Sequence, residues 1–177
     1  IRMSRYSRLI ANALDLGARE SETIELGALL DDIGKIAIPD QILLKPEKLD
    51  DTEWQVVRRH PVIGHEILKG SASKYVRMGA LIALGHHEKY DGSGYPNGLV
   101  GDHIPLCARI VAVADVYDAL TSPRPYKQAW SSAKAYEYLA SQRGKHFDPS
   151  LVDAFASMKR EILEVQTEWR DPTTSTA

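Results

Sequence analysis

Cysteine is almost absent from the chain: Cys107 is the only one among 177 residues. An internal disulfide is therefore excluded, and the composition fits a reducing compartment. An excess of charge of one sign is lacking too. The chain carries 22 Lys and Arg against 24 Asp and Glu, for a formal net charge of −2. No global attraction draws it to nucleic acid or acidic lipid, so an anionic ligand must be held by local charge, and no DNA partner is expected. No apolar run is long enough to cross a bilayer, no signal peptide is recognisable, and neither internal repeats nor low-complexity blocks occur. A cytoplasmic setting is the expectation.

What is present is the composition of an ordinary globular chain, 44% hydrophobic and 26% charged. Its length fits one domain, since domain sizes cluster near about 100–150 residues. The opening "IRMSRYSRL" already has Met3, Tyr6, Ile10, Ala13 and Leu14 in helical register, so the chain is expected to be a piece of a longer protein. The expected domain covers residues 1–168, and residues 169–177, ending in "DPTTSTA", read as a frayed polar tail.

Helical periodicity accounts for most of the sequence and predicts an all-α fold, with helices over 3–16, 21–34, 51–69 broken at Pro61, 73–87, 106–121, 131–142 and 149–168. Two starts carry caps: Asp50 with Glu53 three residues on, and Asp148 before Pro149. "ARIVAVADVYDAL" has the β-branched bulk of a buried strand, but Ile110, Val113, Ala114 and Tyr117 keep the i, i+3, i+4, i+7 spacing and no second strand-like run lies nearby to pair with it. Helix is therefore expected. Two long irregular stretches, "IAIPDQILLKPEKLD" and "KYDGSGYPNGLVGDHIPL", are the places to search for function.

The six histidines are unevenly distributed. His86 and His87 are adjacent, and neighbours on a helix point about 100° apart. The doublet can serve one site only if that site is wide or sits at a helix end, and the following Asp91, Gly92 and Gly94 favour the end. His65, His103 and His146 stand alone and read as ordinary core or surface residues. Imidazole and carboxylate together suit a hydrolytic centre of divalent ions. Asp31, Asp32, Asp115 and Asp118 are the carboxylates beside apolar helical stretches, and a charge inside "IVAVADVYDAL" is costly unless paired or bound to metal. Lys35, Arg124 and Lys127 stand near these acids and point to an anionic substrate such as a phosphate ester.

The stretches "DDIGK", "IPDQILLKPEKL", "RHPVIGHEIL", "HHEKYDGSGYP", "IPLCARIVAVADVYDALTSPRPYK" and "HFDP", in this order, closely resemble the HD-GYP domain. That resemblance implies an all-helical HD-type bundle that hydrolyses cyclic di-GMP at a centre of two or three metal ions, commonly behind a receiver or sensor domain. It implies iron or manganese first, with magnesium, nickel or zinc as further candidates. By the same resemblance Asp31, Asp32, His60, His86, His87 and Asp115 form the metal shell, with Asp32 bridging, and Asp32 and Lys35 are the catalytic pair. Lys35 holds the scissile phosphate, Arg124 and Lys127 grip the rest of the nucleotide, and Gly94, Tyr95 and Pro96 wall the site. Gly92 and Gly94 are expected to supply unusual backbone angles and Pro96 to stiffen the exit. Cyclic GMP-AMP is the other substrate implied, and diguanylate cyclase-type proteins are implied partners of the GYP loop.

One departure stands out. The family has a histidine where this chain has Asp31. An aspartate is shorter and adds negative charge, which favours harder ions such as manganese or magnesium over iron. The alternative is that the site loses ions and the domain serves as a cyclic dinucleotide receptor or a protein-interaction module.

Overall fold

The computed structural model describes residues 1–123 and 128–169. Helices α1 (Arg2–Ala13) and α2 (Ala18–Ala28) form an antiparallel pair, held on one side by buried Glu25, which accepts from Arg5 and Arg8, each at 2.8 Å. Next come a 3-10 turn (Ile33–Ala37), the short α3 (Asp40–Leu43), α4 (Asp51–Val57), α5 (His60–Leu68) and α6 (Lys74–Gly85). A long loop with a 3-10 turn at Gly101–His103 leads into α7 (Leu106–Thr121), followed by α8 (Ser132–Ser141), α9 (Pro149–Ser157) and α10 (Lys159–Glu168). No strand occurs among the described residues, so the all-α expectation agrees with the architecture.

Helix α7 is the axis of the core. Ile110, Val111, Val113, Ala114 and Tyr117 are fully buried on it and pack with Tyr6 and Ile10 of α1, Ile82 of α6 and Phe155 of α9. Each such aliphatic or aromatic side chain contributes about 1.5–3 kcal/mol by leaving water. The Tyr6, Tyr117 and Phe155 rings meet edge to face at 4.8–6.1 Å, the geometry their quadrupoles favour. The strand reading of this segment is thereby excluded.

Both expected caps form. Asp50 and Glu53 make a reciprocal capping box on α4, and the Asp148 side chain accepts from Ser150 N–H with Pro149 at the first helical position of α9. Three boundaries differ from periodicity. Helix α2 stops at Ala28, so Asp31 and Asp32 lie in the turn beyond it rather than on a helix. The break before α5 falls at Arg58 and Arg59, with Pro61 inside the first turn of the next helix, where its missing N–H costs nothing. The final helix is divided at Met158, whose φ of −106° and ψ of 33° leave the α region. At Met158 the apolar spacing runs through the break because α9 and α10 share the same core.

The 3-10 turn is pressed against α5, and Gly34 makes that possible. A Cβ there would fall against the His60 carbonyl and within 2.6 Å of Gly64 N. This contact sets how near the aspartates can come to His60.

Candidate metal centre

Three segments bring four candidate ligands together. Asp32 stands at the N-cap of the 3-10 turn but does not cap it through its side chain, so its carboxylate is available elsewhere. His60 opens α5, His86 is the C-cap of α6, and His87 follows it at the helix end, the geometry expected of the doublet. One ligand atom from each of these four residues lies within 4.8 Å of the others. Their rings are correspondingly close, with centroids 4.0 Å apart for His86 and His87 and 4.9 Å for His60 and His87.

The tautomers follow from the outer partners. His60 Nδ1 is 2.7 Å from the Val57 carbonyl, and His86 Nδ1 is 3.1 and 3.0 Å from those of Ile82 and Ala83. A carbonyl can only accept, so each Nδ1 carries a proton, and the neutral form of each ring turns the lone pair of Nε2 inward. There the two nitrogens lie 3.3 and 3.7 Å from Asp32 Oδ1. All three atoms are buried and have no hydrogen-bond partner. Converging buried acceptors are costly unless something positive lies among them, which is the chemistry of a divalent cation site. The second Asp32 oxygen accepts from Lys35 Nζ at 2.6 Å.

Electrostatics agree with this geometry. Burial opposes ionisation of Asp32, but the adjacent His86 ring and the Lys35 ammonium outweigh it and hold the carboxyl well below the usual range. Burial, with His86 and His60 adding to it, pushes His87 down to about 2. His60 is lowered by burial too. Neutral imidazoles are what a metal needs, so at these two positions protons do not compete for the lone pair near neutrality. At His86 burial is outweighed by the neighbouring Asp32 and Asp31 carboxylates, which move it up, so there a cation competes with a proton.

Asp31 and Asp115 are close enough to feel this centre, but neither is among the four residues whose ligand atoms converge. Burial and then the neighbouring Asp32 push Asp31 up to about 6. Asp115 is raised by burial and lies in the field of His86 and Asp32. Asp118, on the same helix, is drawn to Arg2 at 2.9 Å instead. Arg124 and Lys127 lie outside the described residues.

The sign of the Asp31 shift yields a test. Its folded pKa lies above the ordinary 3.8, so its charge destabilises the metal-free fold above about pH 6, and that cost fades as pH falls toward 3.8. Asp31→Asn is therefore expected to raise the melting temperature of chelator-treated protein near pH 7.5. The gain has a ceiling of about 3 kcal/mol, for a shift of about two pH units at about 1.4 kcal/mol each. It should shrink as pH is lowered from about 6 to about 4 in thermal melts. A gain that is absent, or independent of pH, would refute this account.

The loop after the doublet forms one wall. Tyr95 stacks on His87 with centroids 4.8 Å apart and planes 23° from parallel, while Arg58 Cζ sits 5.1 Å from the Tyr95 ring centroid. Burial raises the Tyr95 phenol to about 12, so it stays protonated. Gly92 has the expected positive φ of 83°, but Gly94 does not. Gly94 is required for a different reason: a Cβ would meet the Lys89 backbone nitrogen and lie 2.6 Å from Glu88 Cα. Pro96 follows Tyr95 through a cis peptide.

Sequence reasoning missed two contributors. Glu88, 2% exposed, accepts from Asn97 N–H at 2.7 Å and Leu99 N–H at 3.0 Å and so ties down the far side of the loop. Its place directly after the doublet was the available signal. Arg58 was hidden among the surface cations, and only its position over Tyr95 distinguishes it.

The chain matches the family model of the HD domain over residues 1–151. It is 56% identical over 164 residues to the cyclic di-GMP phosphodiesterase response regulator RpfG of Xanthomonas campestris, covering 93% of this chain and 43% of that protein. It is 42% identical over 170 residues to the 3'3'-cGAMP-specific phosphodiesterase 2 of Vibrio cholerae, covering 96% of this chain and 33% of that one. The chain thus spans less than half the length of either relative. Among solved structures, an HDG"Y"P protein of Bdellovibrio bacteriovorus shares the fold with a TM-score of 0.68 at 22% identity, over 89% of this chain and 50% of that one.

Proposed function

The chain belongs to the HD domain family, in its HD-GYP branch, and from that premise we propose that it is a metal-dependent phosphodiesterase hydrolysing cyclic di-GMP to pGpG, and onward to GMP, in bacterial second-messenger signalling. The observation that carries this reading is the convergence of Asp32 Oδ1, His60 Nε2 and His86 Nε2, all buried and unpartnered, beside His87. These residues would hold the first ion, and Asp31 and Asp115 supply the carboxylates for a second or third. Manganese and iron are the ions of choice, and the carboxylate at position 31 tips the balance toward manganese or magnesium.

Divalent ions held there would lower the pKa of a water from about 16 toward about 7 and neutralise phosphoryl oxygens. Asp32 links that centre to Lys35, whose Nζ, now 2.6 Å from the aspartate, would exchange that contact for the scissile phosphate. No side-chain nucleophile is required. Gly94, Tyr95 and Pro96 wall the pocket on the His87 side, and Arg124 and Lys127 grip the remainder of the nucleotide. The single domain spans 1–168 in the cytoplasm, behind a receiver or sensor domain, with the GYP loop open to diguanylate cyclase-type partners. No helix among the described residues is long and apolar enough to cross a membrane.

Asp31 favours a second reading, a cyclic dinucleotide receptor with impaired catalysis, because it stands outside the converging four and burial resists its charge. Metal content and turnover of cyclic di-GMP, measured with manganese, iron and magnesium in turn, separate the two. Metal uptake with turnover supports the enzyme, and binding without turnover under every ion supports the receptor. Lys35→Ala should lower kcat and Arg124→Ala should raise KM; the reverse pattern would overturn these roles.

A further inference from the structure

Helix α4 buries none of its residues, yet it is held firmly, by its capping box and by Lys45 Nζ, which donates to both Glu53 oxygens at 2.7 Å. Along one face, at spacing i, i+3, i+4 and i+7, it and its C-cap present Asp51, Trp54, Gln55 and Arg58, all exposed, with Trp54 47% exposed. Together with Tyr95 this face lines a half-open pocket of about 420 Å³. Tyr95 also forms the wall of the metal centre through its stacking on His87, so the two spaces share one aromatic ring.

We propose that the Asp51, Trp54, Gln55 and Arg58 face of α4 is a base-recognition subsite that receives one guanine of the cyclic dinucleotide and selects it over adenine. This rests on the reading of the chain as a cyclic di-GMP phosphodiesterase. The lining is complementary to guanine in kind. Its Watson–Crick edge offers two adjacent donors, N1–H and the N2 amino group, and Asp51 is an acceptor-only carboxylate. Its O6 and N7 accept, and Arg58 is a donor-only fork, while Gln55 can serve either. Adenine would set the lone pair of its N1 against the Asp51 carboxylate. Trp54 supplies a stacking face, which every base can use and which therefore adds affinity rather than choice. Arg58, lying over Tyr95, carries the contact from this cavity to the wall of the centre.

The test compares wild type, Asp51→Asn and Trp54→Ala for turnover of cyclic di-GMP and of cyclic di-AMP, and for binding of both by calorimetry. Asp51 is exposed, and the cap of α4 is made by Asp50 and Glu53, so both variants should keep the circular dichroism and metal content of wild type. Asp51→Asn is expected to raise KM and Kd for cyclic di-GMP by about 5- to 150-fold, the equivalent of about 1–3 kcal/mol for one base contact, and to narrow the preference over cyclic di-AMP by a similar factor. Trp54→Ala should weaken both nucleotides alike. Unchanged cyclic di-GMP affinity and preference in Asp51→Asn, with wild type active, would overturn the subsite and leave the functional reading standing. Wild type that binds cyclic di-GMP without cleaving it still tests the subsite through Kd. Cleavage of bis(p-nitrophenyl) phosphate, which has no base, by a wild type that takes up neither dinucleotide would overturn both proposals while leaving the metal centre intact.

Discussion

Asp32→Asn is expected to reduce turnover of cyclic di-GMP by about a thousandfold or more and to strip the protein of most of its metal. The replacement keeps the shape and removes the charge. Asp32 Oδ1 is the atom toward which His60 Nε2 and His86 Nε2 are turned, at 3.3 and 3.7 Å. An amide there offers a weaker neutral oxygen, or its NH2 group, to an ion that the imidazoles alone cannot neutralise. Charge stabilisation at such centres amounts to several kcal/mol, and about 1.4 kcal/mol corresponds to a factor of ten in rate. The same change releases Lys35, whose Nζ loses its 2.6 Å carboxylate partner. Metal content by elemental analysis and initial rates under saturating manganese are the measurements, with circular dichroism to show that the fold is kept. A variant that retains both metal and rate would remove Asp32 from the centre.

The second large effect is a gain. Asp31→His should tighten metal binding by about 10- to 100-fold, the range by which groups beside a metal's ligands alter its affinity, and raise the rate at limiting metal. Burial penalises the Asp31 charge and the adjacent Asp32 carboxylate adds to that penalty, which is why Asp31 is pushed up to about 6. Histidine at this position removes one negative charge and offers a longer, neutral ligand whose softer nitrogen shifts preference from magnesium and manganese toward iron. Asp31→Asn separates the two causes. If both variants gain, relief of repulsion is responsible; if only histidine gains, the new ligand is. A histidine variant with unchanged or lower metal affinity and rate would mean that the aspartate is already the better partner for this centre.

These two aspartates mark how far sequence reasoning reached. Periodicity located the core of α7 because Ile110, Val113, Ala114 and Tyr117, at helical spacing, are all buried, and the caps at Asp50 and Asp148 could be read from residue type and spacing. The doublet was correctly placed at a helix end from the Asp91, Gly92 and Gly94 that follow. Periodicity ran too far at "LLDDIGK", since leucines at helical spacing continue past Ala28 while the backbone has already turned. Adjacency of Asp31 and Asp32 said nothing of which one faces the histidines. Gly94 was assigned an unusual backbone angle when its true constraint is the nearness of the Lys89 and Glu88 backbone, a contact no local pattern encodes.

By itself the sequence determined the helical class, the chemical groups available for a metal and the loop that would border it, because these follow from residue type and spacing along one segment. The family resemblance placed both Asp31 and Asp32 with His60, His86 and His87, and only the tertiary structure set Asp31 apart from the four residues whose ligand atoms converge. The reason is packing: the 3-10 turn approaches α5 as closely as Gly34 permits, and ligand direction is set by that contact between segments rather than by either segment alone.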